Sequence, residues 1–439
     1  MNKIILNKIV FLLASVVAAV TFTSEASALP LFARQTGMEC AACHFQHFPM
    51  LTAFGRSFKS GAFTMTGAQE KVEGDNLSIP VVLNAAILST AGYVKTDQLA
   101  GVPGATTPGD GQFYVPGTGG EFSLFVGGRT SDFSGALAEL GMVPAGGAAG
   151  GLSSAKIPML WEVADGTRAG IVPFTTDGQG ASYGFETLNT GANAIHTMLF
   201  VGGDANGSIG PALSAQQYIG TGAAATGFAA VVNNESYFVN VTKYNQVGPT
   251  DAGVTADLGS TYARAAYIFD MAGWDSAVGV QSWSGSSFDG GGAETETKAT
   301  AIDAQMQGAL PNGMPLGVYA EFASAPAGTG GLANAYNGDV AGTGNAADKK
   351  SSFNISAELG VIPEVATINF GMRRGKSGDT SITGSNASDN AFIVGASYKL
   401  RQNMMLNLYY VAQSGDYWNQ ANTDAVGAKQ TTINLATIF

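Results

Sequence analysis

Through its central and C-terminal parts the chain is written in short stretches of alternating apolar and polar residues, the period of two that marks β-strands. Clear stretches are Ser123-Leu124-Phe125-Val126, Ile157 to Ala164 and Arg168 to Phe174, then Tyr237 to Val241, Tyr262 to Phe269 and Trp274 to Trp283. Further on come Thr295 to Gly308, Met314 to Phe322, Phe353 to Val361, Val365 to Met372, Ala391 to Leu400 and Met404 to Val411. Asp165-Gly166, Asn233-Asn234, Met271-Ala272-Gly273, Pro311-Asn312-Gly313, Pro363 and Arg401-Gln402-Asn403 punctuate them, because such residues accept the backbone angles of tight turns. The turns near 272, 312, 363 and 402 are short, whereas 284–294, 324–352, 374–389 and 414–429 are long and rich in Gly, Ser, Asn and Asp. A membrane β-barrel sorts its loops in this way, with short periplasmic turns and long external loops.

The pattern predicts an all-β fold, a transmembrane antiparallel β-barrel. In lipid every backbone N–H and C=O must be paired, and without helices only a closed barrel does so. About 18 candidate segments are present, those between 121 and 205 being the least sharply bounded, so an even number between about 14 and 18 is expected. The last stretch, Thr431 to Phe439, alternates and ends on an aromatic residue, like the closing strand of bacterial outer-membrane barrels. Trp161, Trp274, Trp283, Tyr319, Tyr409, Tyr410 and Trp418 are candidates for the aromatic girdles at the lipid interfaces. His196 falls in a predicted strand and is assigned a structural or lumen role.

Composition agrees with a membrane wall. Only 12% of the 439 residues are charged and 45% are hydrophobic, where soluble domains carry about 25% charge. A net charge of −12 excludes a nucleic-acid partner, which needs a basic surface. Two cysteines exclude a disulfide scaffold. Lys3 and Lys8, the apolar run Ile9 to Val20 and the small-residue site Ala26-Ser27-Ala28 read as a cleaved secretory signal over 1–28. Signal and final strand together predict a Gram-negative outer membrane. The rest divides into 29–75, which holds both cysteines, and the barrel, 76–439.

Cys40-Ala41-Ala42-Cys43-His44 is the C-x-x-C-H attachment motif of c-type haem. Two cysteines at this spacing each reach a vinyl group on one porphyrin edge, and the adjacent histidine reaches the iron. A disulfide redox pair has no use for the histidine, and a zinc site lacks further cysteines. Cys40 and Cys43 are therefore candidate thioether anchors of one covalent haem, and His44 the axial ligand. Met65 is the candidate second axial ligand, with Met38 and Met50 as alternatives. His47 shares a helical face with His44 in this reading and is assigned to the surface or to a propionate. Arg34, Arg56 and Lys59 are candidate propionate contacts. Leu51, Phe54 and Phe58 recur at helical spacing after Pro49, taken as the first helical position, with Gly61 at the end. Some 45 residues are too few for an independent core, so the segment is expected to plug the barrel lumen.

The run Leu31-Phe32-Ala33-Arg34-Gln35-Thr36-Gly37-Met38, the haem motif, and Phe54-Gly55-Arg56-Ser57-Phe58-Lys59 resemble the fused monohaem cytochrome–porins of iron-oxidising bacteria. The resemblance implies a barrel of 16 strands, with 18 also admitted. It also implies oxidation of extracellular Fe(II) at the haem and delivery of electrons to a periplasmic cytochrome, an iron-oxidase-like electron transfer. Two other readings stand beside it: a cytochrome–porin using another electron donor or acceptor, and a diffusion porin plugged by its haem segment. The loop acids Asp97, Asp110, Asp339, Asp379 and Asp389 could concentrate cations, but ordinary solvated loops are the better explanation of them. No Asp, Glu and His spacing marks a dedicated iron site, and no Ser/His/Asp triad or nucleotide loop offers a rival chemistry.

Overall fold

The computed structural model describes residues 30–67, 69–75, 77–96, 111–142, 150–190, 214–251, 257–337, 348–378, 388–418 and 429–439. The signal segment 1–28, His196, Asp97, Asp110, Asp339 and Asp379 lie outside the described residues.

The segments of period two form a closed antiparallel barrel of 16 spanning strands. In chain order the first four are β1 (Ala85–Thr96), β2 (Gln112–Pro116, resuming as Phe122–Arg129), β3 (Gly135–Gly141) and β4 (Leu152–Lys156, resuming as Met159–Ala164). Then come β5 (Thr167–Thr176), β6 (Ala225–Asn233), β7 (Tyr237–Asn245), β8 (Ser260–Met271), β9 (Trp274–Phe288) and β10 (Ala299–Ala309). The rest are β11 (Pro315–Ala325), β12 (Lys350–Ile362), β13 (Ala366–Lys376), β14 (Ser388–Arg401), β15 (Met404–Ser414) and β16 (Lys429–Ile438). The C-terminal strand closes the ring on β1, with Ile433 opposite Tyr93 and Asn434 opposite Gly92. Residues 165–166, 272–273, 363–365 and 402–403 make tight turns at one rim, and the long connections leave from the other.

The alternation is inverted relative to a soluble sheet. Along β12, Phe353 and Val361 are exposed, while Ser352, Asn354, Ser356 and Glu358 are buried. Polar side chains therefore face the lumen and apolar ones face outward, the arrangement a barrel wall needs in lipid. That polarity corrects the girdle assignment. Trp161 and Tyr410 are outward and about half exposed, Trp161 stacking on Phe133 at 4.8 Å. Trp283, Tyr319 and Tyr409 are 3%, 1% and 1% exposed and belong to the inner face.

After β5 the chain turns into the lumen. Ala181–Tyr183 forms a single 3-10 turn, and Tyr183, Phe185 and Leu188 are buried against the inner wall. A short helix, Ala215–Ile219, also packs inside, its N-terminus closed by the reciprocal Ser214–Gln217 capping box. Such a segment is apolar because it fills the barrel. The division at 75/76 falls in the turn of a separate two-stranded hairpin, Lys71–Gly74 with Leu77–Pro80, and the barrel proper begins at Ala85.

Candidate functional site

Residues 30–67 carry three short helices: α1 (Pro30–Thr36), α2 (Cys40–Cys43) and α3 (Ala53–Ser60). Helix α3 starts four residues later than the sequence predicts. Ala53, not Pro49, is its first helical residue; Thr52 is the N-cap, and its side chain accepts a 3.1 Å bond from the Gly55 N–H. Gly55 lets α3 lie directly on α2, since a Cβ there would stand 2.1 Å from the Cys43 carbonyl oxygen.

The inner wall holds this segment through polar contacts. Arg56 donates both bonds of a fork to Asp275 on β9, at 2.6 and 2.7 Å. His47 pairs with the fully buried Glu358 of β12. The Leu51 N–H donates to the Asn189 side chain at 2.8 Å, and Asn189 donates back to the Leu51 carbonyl at 3.0 Å. Gln35 donates to the Phe63 and Met65 carbonyls at 2.6 and 2.7 Å and accepts from the Arg129 N–H at 3.0 Å. The segment thus lies on lumen-facing groups of the wall and of the inserted loop.

His44 is placed as a ligand would be. Its Nδ1 is 3.1 Å from the Met50 carbonyl oxygen. A carbonyl only accepts, so Nδ1 carries the proton and the Nε2 lone pair is left for a metal. Burial pushes the His44 imidazole down to about 4, which keeps that lone pair unprotonated at neutral pH. Burial also raises both thiols, that of Cys40 to about 12. The cysteines are free of any disulfide. His44 and Phe48 line two adjoining cavities. The outer one reaches the short-turn rim at Lys399, Gln402 and Asn403 and is also lined by Cys40, Met404 and Met405. The inner one is lined by Cys43, Phe32, Phe58, Phe63, Leu51 and Leu137, with Met38, Glu39, Lys59 and Lys156. The donor set, the free Nε2 and the apolar lining fit a covalently held haem.

The other predicted residues are distributed unevenly. Met65 is 41% exposed and lines neither cavity, whereas Met38 lines the inner one. Met50 is buried against Tyr319, Ile393 and Tyr409, and its carbonyl serves His44. His47 is buried, not at the surface. Burial opposes its charge, yet the Glu358 carboxylate outweighs this and raises its pKa. Arg34 donates to the Ala85 carbonyl outside both cavities, and Arg56 is committed to Asp275. Only Lys59 of the three predicted cations lines a cavity. Asp389 is no solvated loop acid: it accepts from Arg373 at 2.6 Å and from the Trp418 indole at 3.0 Å. Among the described residues no three metal-ligating side chains cluster. The sequence reading missed Asp275, Glu358, Asn189 and Lys156. For Asp275, Glu358 and Lys156 the available signal was a charge on the inward face of a membrane strand, where it requires a partner.

No protein-family model and no curated protein sequence matches the chain. The solved structures to which it is similar include OmpT, OprB and OmpF. OmpT of Vibrio cholerae is 12% identical with a TM-score of 0.45, over 84% of this chain and 100% of that one. OprB of Pseudomonas putida is 12% identical with a TM-score of 0.49, over 81% and 94%. OmpF of Salmonella typhi, in complex with daunomycin, is 11% identical with a TM-score of 0.46, over 84% and 100%. At these identities the likeness concerns the barrel alone.

Proposed function

We propose that the chain is an exported outer-membrane electron-transfer protein in which Cys40, Cys43 and His44 hold one haem c inside the barrel. On this reading an electron from extracellular Fe(II) reaches the haem and leaves to a periplasmic cytochrome. The observation that supports it is the joint placement of both thiols and an oriented imidazole around apolar cavities within the lumen. When bound, the haem supplies one-electron exchange between ferric and ferrous iron. The residues do the rest. Met50 fixes the His44 tautomer, Phe32, Phe48 and Phe58 exclude water, and the bonds from Arg56, His47 and Leu51 hold the segment at one height in the barrel.

That height assigns the two mouths different tasks. The outer cavity opens at the short-turn rim, which a porin-type barrel places in the periplasm, so an electron acceptor docks close to His44. From Asn403 to the far end of β15 at Ser414 is about 36 Å of strand, hence about 27 Å of barrel height at the usual tilt. An Fe(II) donor therefore has to enter the lumen instead of reacting at the loop tips.

The test is anaerobic stopped-flow spectroscopy of the full-length, haem-loaded protein in lipid nanodiscs, mixed with Fe²⁺. Rapid growth of reduced c-type bands is expected. Reduction by dithionite but not by Fe²⁺ would overturn the iron reading in favour of another donor. Open-channel conductance in planar bilayers, with no donor-dependent reduction, would favour the plugged diffusion porin.

A further inference from the structure

Toward the long-loop end, the outer face of β12 to β14 changes its chemistry at one level. The outward residues of β13 run Ala366, Ile368, Phe370, Met372, Arg374 and Lys376, apolar for four positions and then cationic for two. Its neighbours change at the same level. Phe353 of β12 and Asn390 of β14 stand opposite Arg374, and Ser351 and Ser388 stand opposite Lys376. Phe353, Phe370 and Phe392 are exposed in the band below, the Phe370 and Phe392 rings being 5.3 Å apart. Lys349, exposed two residues before Ser351, adds a third cation. On the inner face of the same strands the cations are engaged: Arg373 donates to Asp389 at 2.6 Å, and Lys350 lies 5.0 Å over the Tyr218 ring. The outward Arg374 and Lys376, and Lys349, are exposed and enter no ion pair with a described residue. The acids beside them are committed elsewhere. Asp416 accepts from the Ser388 N–H at 3.2 Å and from its hydroxyl at 2.9 Å, and Asp348 accepts from the Lys349 N–H at 2.8 Å.

At the usual strand rise and tilt Lys376 stands about 26 Å above Ala366, and the apolar band of a membrane barrel is about 25 Å tall. The cations therefore lie at the headgroup level of the leaflet on the long-loop side, the external one. The opposite rim has the opposite sign: Glu162, Asp165, Glu235, Asp270 and Glu364 are exposed in or beside the tight turns, against Arg401. Snorkelling to water explains a lone interfacial lysine, but not cations grouped over aromatic rings on one leaflet. We infer that Lys349, Arg374 and Lys376 hold the phosphate groups of a phosphorylated glycolipid of the outer leaflet, its acyl chains lying along Phe353, Phe370 and Phe392. Arg374 offers a planar fork to phosphate oxygens, and the two lysines add point charges. The site needs the barrel and its orientation, and no haem.

The experiment is native mass spectrometry of the full-length protein in detergent, titrated with bis-phosphorylated lipid A, with dephosphorylated lipid A and with phosphatidylglycerol. One molecule of bis-phosphorylated lipid A is expected to stay bound, and the other two lipids to bind about tenfold more weakly. A cation at the membrane surface is worth about fivefold in affinity, so the double variant Arg374→Gln, Lys376→Gln should bind lipid A about 25-fold more weakly. The swap Arg374→Lys, Lys376→Arg keeps both charges and should bind within about twofold of the wild type. Heat-modifiable migration checks that both variants are folded. A double Gln variant that binds lipid A like the wild type overturns the site. Equal binding of dephosphorylated lipid A overturns it too, since the aromatic band alone then holds the lipid. Equal binding of phosphatidylglycerol overturns the glycolipid in favour of any anionic lipid. A lipid-free dimer that the double Gln variant loses would assign this face to a second copy of the chain instead.

Discussion

The barrel wall and the segment it encloses solve the same problem by different means. The wall satisfies its own backbone, strand to strand around a closed ring, and turns its apolar side chains to lipid. Residues 30–67 have helices of seven, four and eight residues, too short to be stable alone, and their core residues Leu31, Phe58 and Phe63 are few. What keeps them in one place is a set of directed contacts to the lumen face: Arg56 to Asp275, His47 to Glu358, Gln35 to the backbone of Arg129, and Leu51 to Asn189. The wall is therefore a scaffold that folds by pattern, and the segment is a guest that folds by partner.

The largest effect follows from removing the guest. Deletion of residues 30–67 should leave a folded, heat-modifiable barrel with unchanged β-content by circular dichroism. Its single-channel conductance should rise from near silence to an open state. The peptide 30–67 alone, without haem, should show no helical signal. A deletion variant that fails to form a barrel would mean that the wall depends on the segment as much as the reverse. A smaller effect is expected from Asp275→Leu, which strands the buried Arg56 guanidinium without its carboxylate. Breaking such a pair costs about 3 kcal/mol. It should appear as proteolytic cleavage within residues 30–67 while the barrel's unfolding temperature stays within a few degrees.

The difference between the two regions also explains what was legible in the sequence. The wall could be read because a strand with one face in lipid and one in a polar lumen repeats every two residues. The turns at 272, 312, 363 and 402 fall where Gly, Pro and Asn announce them. The pattern says less where the chain leaves the wall. Tyr183, Phe185 and Leu188 are apolar because they pack inside the barrel, and periodicity does not distinguish a buried filler from a strand. Trp283, Tyr319 and Tyr409 were misplaced for the same reason, since an aromatic residue serves an interface or a lumen equally well. At the candidate site, the local motif could be read and the long-range partners could not. Cys40, Cys43 and His44 lie within five residues and declare their spacing. Asp275, Glu358 and Lys156 come from strands distant in sequence, and only closure of the ring brings them to the segment.

The finest test of the guest's dependence on close fit is Gly55→Ala. The new methyl would stand 2.1 Å from the Cys43 carbonyl oxygen and 3.1 Å from its Cα, both backbone atoms, so no side-chain rotation relieves the clash. Either α3 or α2 must move. Each option strains a bond that holds the site: the Thr52 cap on the Gly55 N–H, or the Thr52 N–H to the Cys43 carbonyl at 3.0 Å. Overpacking of this kind costs about 2 kcal/mol. Alanine favours a helix over glycine by about 1 kcal/mol, which offsets part of the loss and makes this the smallest of the three effects. Hydrogen exchange should show it as faster exchange of the α2 and α3 amides, with the amides of β12 to β15 unchanged. Equal protection in variant and wild type would mean that α2 has room to withdraw, and that the fit between the two helices is looser than the close approach at Gly55 requires.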